Sequence, residues 1–443
     1  MADHRSAHIS AITASQRLDS RGKPTVKVSV TTGAGTFSAL VPSGASVGDY
    51  EAHELRDGHA DDYGGNSVHQ AVTNVENVIG PALIKQQFDV GDDLEKIDRF
   101  MIQLDGSKNK SKLGANAILG VSMACARAGA AAKGIPLYEF LRAQAGITGP
   151  YVLPVPFFNV LNGGKHSGNS MAFQEFMIAP VGAISLTHAV RLGCEVYQAL
   201  KSVITEKHGA SAIGVGDEGG FAPPITEPTE ALDLLMAAVK RAGHEGKIKF
   251  GIDPAASGFY IRGAYDLGFK SKKQCQMSAA NLSDLYRSLL DKYPIILLED
   301  PFAEDDWEAW RRFNQNCPIE LVGDDLLATN LERINTAIEN SACNSLLLKI
   351  NQIGTITESL EAARTAFNYG WRVFVSHRSG ETTDDFIADL TVALSTGHLK
   401  AGSPCRGERV AKYNRLMDIE DQLNASSLSQ EYAGKSMAWR GMD

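Results

Sequence analysis

The chain has 443 residues, 44% of them apolar, and 43 Lys plus Arg against 52 Asp plus Glu give a net charge of −9. That length exceeds one ordinary domain and supports two large cores. The negative balance, with no basic stripe, argues against nucleic acid or an anionic membrane as partner and suits acid-rich chemistry with divalent metals.

The opening residues carry no apolar segment suited to secretion, and no window is expected to span a membrane. Cys125, Cys194, Cys275, Cys317, Cys343 and Cys405 form no Cys-x-x-Cys pair, so they read as reduced thiols of a cytosolic protein without structural zinc. Strands are predicted over 8–16, 24–32 and 36–42, the last two forming a hairpin through a Thr-Gly-Ala-Gly turn. VPSGASVGDYEAHELRDG is too dense in Ser, Gly and Ala for regular structure. It reads as a mobile loop, 43–50, whose plain role is connection and whose functional role would be to offer oxygens of Ser43 and Ser46 to a metal or phosphate. Helical periodicity follows over 67–85, 92–104 and 113–133, the last so rich in Ala and Gly that it should pack closely. These elements make a small α+β domain over residues 1–148, and the prolines from Gly149-Pro150 onward mark the boundary of a second domain, 149–443.

The second domain opens with PFFNVLNGGKHSGNSMAFQEFMIAPVGA, where His166 lies in a glycine-rich loop. Gln174 and Glu175 lie within an apolar strand-like run in which an unpaired carboxylate is costly. After a helix over 185–208 comes AIGVGDEGGFAPPI, neither a P-loop nor a dinucleotide fingerprint; its plain reading is a tight turn with a solvated acid pair. Then six apolar runs end in charge: Asp253; Glu299 with Asp300; Asp324 with Asp325; Lys349; His377 with Arg378; and Lys400. Glu299, Asp324 and Lys349 fall at equal intervals, the length of a strand, a helix and two loops. Such βα units bring their charges to one end of a parallel sheet, the active-site face if the sheet closes into a barrel. The longer gap after Asp253 reads as a polar hairpin-like insertion. Two carboxylates and a lysine at that face suggest a metal site beside a cationic base.

The strings LDSRGKPTV, PSGASVG, QEFMI, GDEGGFAP, GIDPAAS, LEDPF, VGDDL, LLLKINQIGT, VSHRSGET and GSPCRGER, in this order, resemble the enolases of glycolysis from about Ile9 to the C-terminus. The resemblance implies a modified eight-stranded TIM-like α/β barrel preceded by the smaller α+β domain. It implies a lyase that dehydrates 2-phosphoglycerate to phosphoenolpyruvate in the cytoplasm as a homodimer, with two Mg²⁺ ions per active site. By the same resemblance Asp253, Glu299 and Asp324 would hold one magnesium and Ser46 the second. Lys349 would be the base, and Glu218, supported by Glu175, the acid. Arg378 and Ser379 would bind phosphate together with the N-terminus of a helix beginning near Thr383; Lys400 would bind carboxylate, with Gln174, Glu175, His166 and His377 closing around the substrate. The chemistry expected there lowers the Lys349 pKa through nearby positive charge and raises that of Glu218 through Glu175. The chain departs from the family pattern at Val47 for threonine, Lys165 for serine or alanine, and Gly258 and Gly268 for acids. Two alternatives follow: a paralogue dehydrating a related phospho- or phosphono-hydroxyacid, and a non-catalytic enolase used for binding, though every residue needed for catalysis is retained.

Overall fold

The computed structural model describes residues 7–45, 48, 50–271, 274–426 and 428–436. Three antiparallel strands, β1 (Ala11–Leu18), β2 (Pro24–Thr32) and β3 (Gly35–Leu40), open the chain in the order β1-β2-β3. β1 runs later than predicted because the Asp19 carboxylate accepts the N–H groups of Arg21 (2.8 Å) and Lys23 (3.0 Å), so the turn begins only after Leu18. Val26, Val28 and Val30 alternate onto one face and are fully buried, as period-2 patterning requires. The helix predicted over 67–85 is three pieces: α1 (His69–Asn74), a π-helical turn (Val75–Ile79) and α2 (Gly80–Gln86). Pro81, near the start of α2, has no N–H to continue the α ladder, which accounts for the break.

Next come α3 (Leu94–Asp105), α4 (Ala115–Lys133) and α5 (Leu137–Ala145). A Cβ on Gly120 of α4 would lie 2.5 Å from Val28 Cγ2, so the helix approaches the sheet at a distance only glycine permits. By length and composition alone α4 could cross a membrane, contrary to the sequence expectation, but 83% of its most apolar window is buried inside the protein. It is the central helix of the small domain.

After β4 (Tyr151–Leu153), eight strands close into a barrel: β5 (Val155–Asn162), β6 (Glu175–Ala179), β7 (Lys249–Asp253), β11 (Ile295–Glu299), β12 (Glu320–Gly323), β13 (Ser345–Leu348), β14 (Arg372–Ser376) and β15 (His398–Lys400). The insertion after β7 is a separate three-stranded sheet of β8 (Tyr260–Ile261), β9 (Ala264–Asp266) and β10 (Gln276–Met277). Helices α6 (Leu186–His208), α7 (Pro228–Ala242), α8 (Ala279–Lys292), α9 (Trp307–Asn314), α10 (Leu331–Glu339), α11 (Ile350–Ile353), α12 (Ile356–Asn368), α13 (Phe386–Leu394) and α14 (Gly407–Ala425) separate or follow the strands. Phe157, Met177, Leu297, Val322, Leu347 and Phe374 fill the barrel interior. The pairings from β11 to β15 and on to β5, and that of β11 with β7, are parallel, but β6 runs antiparallel to both neighbours. Its first residue, Glu175, therefore pairs with Asn162 and Asp253, the last residues of β5 and β7. All six described cysteines are free thiols, as expected.

Candidate active site

At the C-terminal ends of the strands lies a cleft of about 240 Å³. Among the predicted site residues His166, Gln174, Glu175, Glu218, Asp324, Lys349, His377, Arg378, Ser379 and Lys400 line it. Asp253 and Glu299 lie beneath, 2% and 0% exposed. Ser46 and Val47 fall outside the described residues. Each strand ends where its apolar side chains stop, so the next residue, no longer facing the packed interior, can carry charge.

The floor is an ionic lattice. Lys400 Nζ donates to Asp253 Oδ2 at 3.0 Å and to both Glu299 oxygens at 2.8 Å, and lies 3.2 Å from Glu175 Oε1. Asp324 is turned away from that group: its Oδ2 pairs with Lys349 Nζ and its Oδ1 accepts from Gln352 at 3.0 Å. Asp253, Glu299 and Asp324 thus border one floor without forming a compact triad. The groups whose ligand atoms lie within 4.8 Å of one another are His166–Glu175–Glu218 and Asp300–Asp324–Asp325. Asp300 has a scaffolding task, since its two oxygens accept the N–H groups of Asp324 and Asp325, each at 2.8 Å. Burial, then the Asp253 charge, pushes the Glu299 carboxyl well above its ordinary value. The floor holds more carboxylate than its lysines offset, and its donors are hard oxygens, so these residues fit a magnesium ion.

The expected lowering of the Lys349 pKa relies on bound metals as well as Lys400; among the protein's own groups the balance runs the other way. Burial lowers its pKa, but the Asp324 carboxylate outweighs burial and holds the ammonium above its usual value. On the opposite wall His166 Nδ1 lies 2.7 Å from Glu218 Oε1, and Asn162 Nδ2 donates to Glu218 Oε2 at 2.7 Å. Gly219, at φ +85°, makes this placement possible; a Cβ there would sit 2.2 Å from Ser403 Oγ. Against the plain reading of a solvated turn, Glu218 is carried inward and is only 1% exposed, while Asp217 stays half-buried. Glu218 also reverses expectation: against burial, the His166 charge holds its carboxyl down at about 2. His166 is held up at about 9, its burial outweighed by Glu218. The carboxyl that is raised is Glu175, to about 7, by burial more than its neighbours. On this wall the shifts favour a proton on His166 and Glu175 over one on Glu218.

Arg378 is engaged by Glu51 of the small domain at 3.1 Å. The His377 ring, 2.5 Å from an Arg409 nitrogen, is kept neutral by burial and then by that cation. Arg409 also donates to the carbonyls of Arg378 and Ser379, at 2.6 and 2.8 Å, fixing the loop that carries them. The expected phosphate contact from a helix near Thr383 does not hold. α13 begins at Phe386, and its first N–H is taken by Asp384, whose other oxygen binds Leu40 N–H (3.0 Å) and Arg127 (2.7 Å). That terminus faces the small domain and is already occupied by a carboxylate.

Sequence reasoning missed Glu51, Gln352, Asn162 and Arg409. Glu51, Gln352 and Arg409 end no apolar run, and Asn162 ends β5 without a charge, so no charged strand end marked them; each acts through a partner distant in sequence.

Two family models match the chain: the enolase N-terminal domain over residues 9–141 and the enolase C-terminal TIM barrel domain over residues 150–440. The chain belongs to the enolase family.

Proposed function

We propose that this member of the enolase family is a magnesium-dependent lyase that dehydrates 2-phosphoglycerate to phosphoenolpyruvate. One observation carries the reading: Lys349, following β13, and the Glu218–His166 pair, beside β6, occupy opposite walls of one cleft, because β13 and β6 face each other across the closed strand order. A base on one side and a proton-bearing cluster on the other suit removal of the C2 proton followed by loss of the C3 hydroxyl.

Lys349 takes the C2 proton. The product of that step is a doubly charged, enolate-like carboxylate, which Lys400, buried beside the Asp253 and Glu299 carboxylates, meets with positive charge. The His166–Glu218–Glu175 cluster holds the proton that leaves with the hydroxyl, and Glu218 orients His166 toward it. Arg378 and the Ser379 hydroxyl receive the phosphate, for which Arg378 exchanges its Glu51 partner. Asp253, Glu299 and Asp324 would hold magnesium, which when bound supplies charge to the substrate carboxylate and neutralises Asp324, the group that now keeps the Lys349 proton in place. Ser46 is proposed for a second ion.

The test is phosphoenolpyruvate formation from 2-phosphoglycerate by the purified protein, with magnesium and with chelator. Product only with magnesium is expected; no product in either condition overturns the assignment. A cytosolic location and a homodimer belong to the same proposal, read by fractionation and light scattering. A second reading, dehydration of a related phospho- or phosphono-hydroxyacid, draws on one observation, Lys165 on the cleft wall, which has no ion pair among the described residues, and substrate profiling separates the two.

A further inference from the structure

The cleft is lined by four lysine and arginine side chains. Lys349 is held by Asp324, Arg378 by Glu51, and Lys400 by Asp253, Glu299 and Glu175. Lys165 is the exception: it is exposed, and among the described residues its ammonium has neither an ion pair nor a hydrogen bond. An anion meeting any of the other three must compete with a protein carboxylate. An anion meeting Lys165 displaces nothing but water.

The residue beside it explains why the charge is free. Gly258, on the segment after β7, lines the same cleft, and a Cβ there would lie 3.7 Å from Lys165 Cε with no other atom within 4 Å. An acidic side chain at this position would reach Lys165 and neutralise it. With glycine in its place the ammonium faces the cleft. Strand β7 lies diametrically across the barrel from β14, whose end carries Arg378, so this cation stands on the far side from the proposed phosphate contact.

We propose that Lys165 is a specificity-determining residue that binds an anionic substituent of the substrate beyond its phosphate and its first carboxylate, so that the cleft favours phosphorylated hydroxyacids bearing an additional acid group. This rests on the reading of the cleft as a phospho-hydroxyacid site. A charge-assisted contact made without displacing a protein partner is worth about tenfold in affinity.

The test compares two non-reacting ligands on the magnesium-loaded protein by calorimetry: phosphoglycolate, and O-phosphotartronate, which adds a carboxylate. In the unsubstituted protein O-phosphotartronate should bind the more tightly. Lys165→Ala should weaken it about tenfold while changing phosphoglycolate about twofold or less, with Lys165→Arg restoring the preference. Gly258→Glu, which the space accommodates, should reproduce the loss with Lys165 intact. Equal weakening of both ligands by Lys165→Ala, or no weakening of either, overturns the inference. Because binding is read without turnover, a retained preference in a protein that fails to dehydrate 2-phosphoglycerate sustains the inference while removing the proposed reaction. Failure of either ligand to bind overturns the reading of the cleft and this inference with it.

Discussion

At the N-terminal end of the barrel Glu320, the first residue of β12, lies 2.8 Å from His398, the first of β15, whose ring stacks on Phe374 with centroids 4.4 Å apart. Both side chains are buried, and despite burial the histidine holds the Glu320 carboxyl below its ordinary value. At the opposite end Glu299 and Glu175 are as deeply buried, yet both are pushed up, with burial the largest cause. The two ends use the same residue types in the same barrel and differ in whether the charge is answered. Where partners suffice, buried charge is structure. Where carboxylates outnumber their cations, the surplus marks the side that receives a ligand.

The largest effect expected from breaking this contrast is catalytic. Lys349→Ala should lower kcat by at least about 10²–10⁴-fold and abolish exchange of the C2 proton with solvent. Glu218→Gln should keep that exchange while blocking dehydration, and equal loss of exchange in both variants would show the division of roles to be wrong. At the other end Glu320→Ala should cost about 3–5 kcal/mol in urea unfolding, since it removes one partner of a buried pair, while kcat/KM of the folded enzyme stays unchanged. An activity loss there would dissolve the distinction between the ends.

Glu299→Gln should do the opposite. It removes surplus charge, so the metal-free protein should gain about 0.5–2 kcal/mol. Magnesium at about 100-fold over its Kd should add about 2.7 kcal/mol to the unsubstituted protein and nothing comparable to the variant. Destabilisation by Glu299→Gln in chelator would mean that Lys400 already answers the floor.

The His166–Glu218 pair sharpens the comparison through pH. His166, raised to about 9, contributes stability that is complete below its ordinary value near 6.5 and is lost as pH rises through 9. Glu218, lowered to about 2, contributes stability that is complete above the ordinary carboxylate range and is lost only as pH falls toward 2. Glu175, raised to about 7, adds a loss between the ordinary carboxylate range and 7. The Tm in chelator should therefore fall between pH 6.5 and 9, and His166→Gln should flatten that fall. The smallest effect is expected at Glu51. Glu51→Gln should ease access to Arg378 and tighten inhibition by inorganic phosphate by about 2- to 5-fold, equivalent to about 0.5–1 kcal/mol.

Charged strand ends at regular intervals were legible in the sequence because a parallel βα unit repeats its length, and of the residues so marked Asp324, Asp325, Lys349, His377, Arg378 and Lys400 line the cleft while Asp253 and Glu299 are buried beneath it. The direction of β6 was not. Glu175 precedes its apolar run instead of following it, because the segment 163–174 between β5 and β6 contains only a 3₁₀ turn and no crossover helix. A connection of that kind favours an antiparallel return. Protonation was also illegible, since each group's state depends on its nearest partner: Glu218 meets His166 before it meets Glu175. Glu51 was hidden for a third reason: it belongs to the other domain.

That last placement bears on how such proteins can be recombined. Glu51 holds Arg378 at 3.1 Å and accepts from Gln352 at 3.3 Å, while Arg127 reaches Asp384 at 2.7 Å and Lys110 reaches Glu358 at 3.0 Å. The small domain is therefore a wall of the cleft as well as the barrel's neighbour. A chimera that grafts the barrel onto a foreign first domain inherits every strand-end residue and still lacks the carboxylate that holds Arg378. The unit that must travel together is the pair of domains.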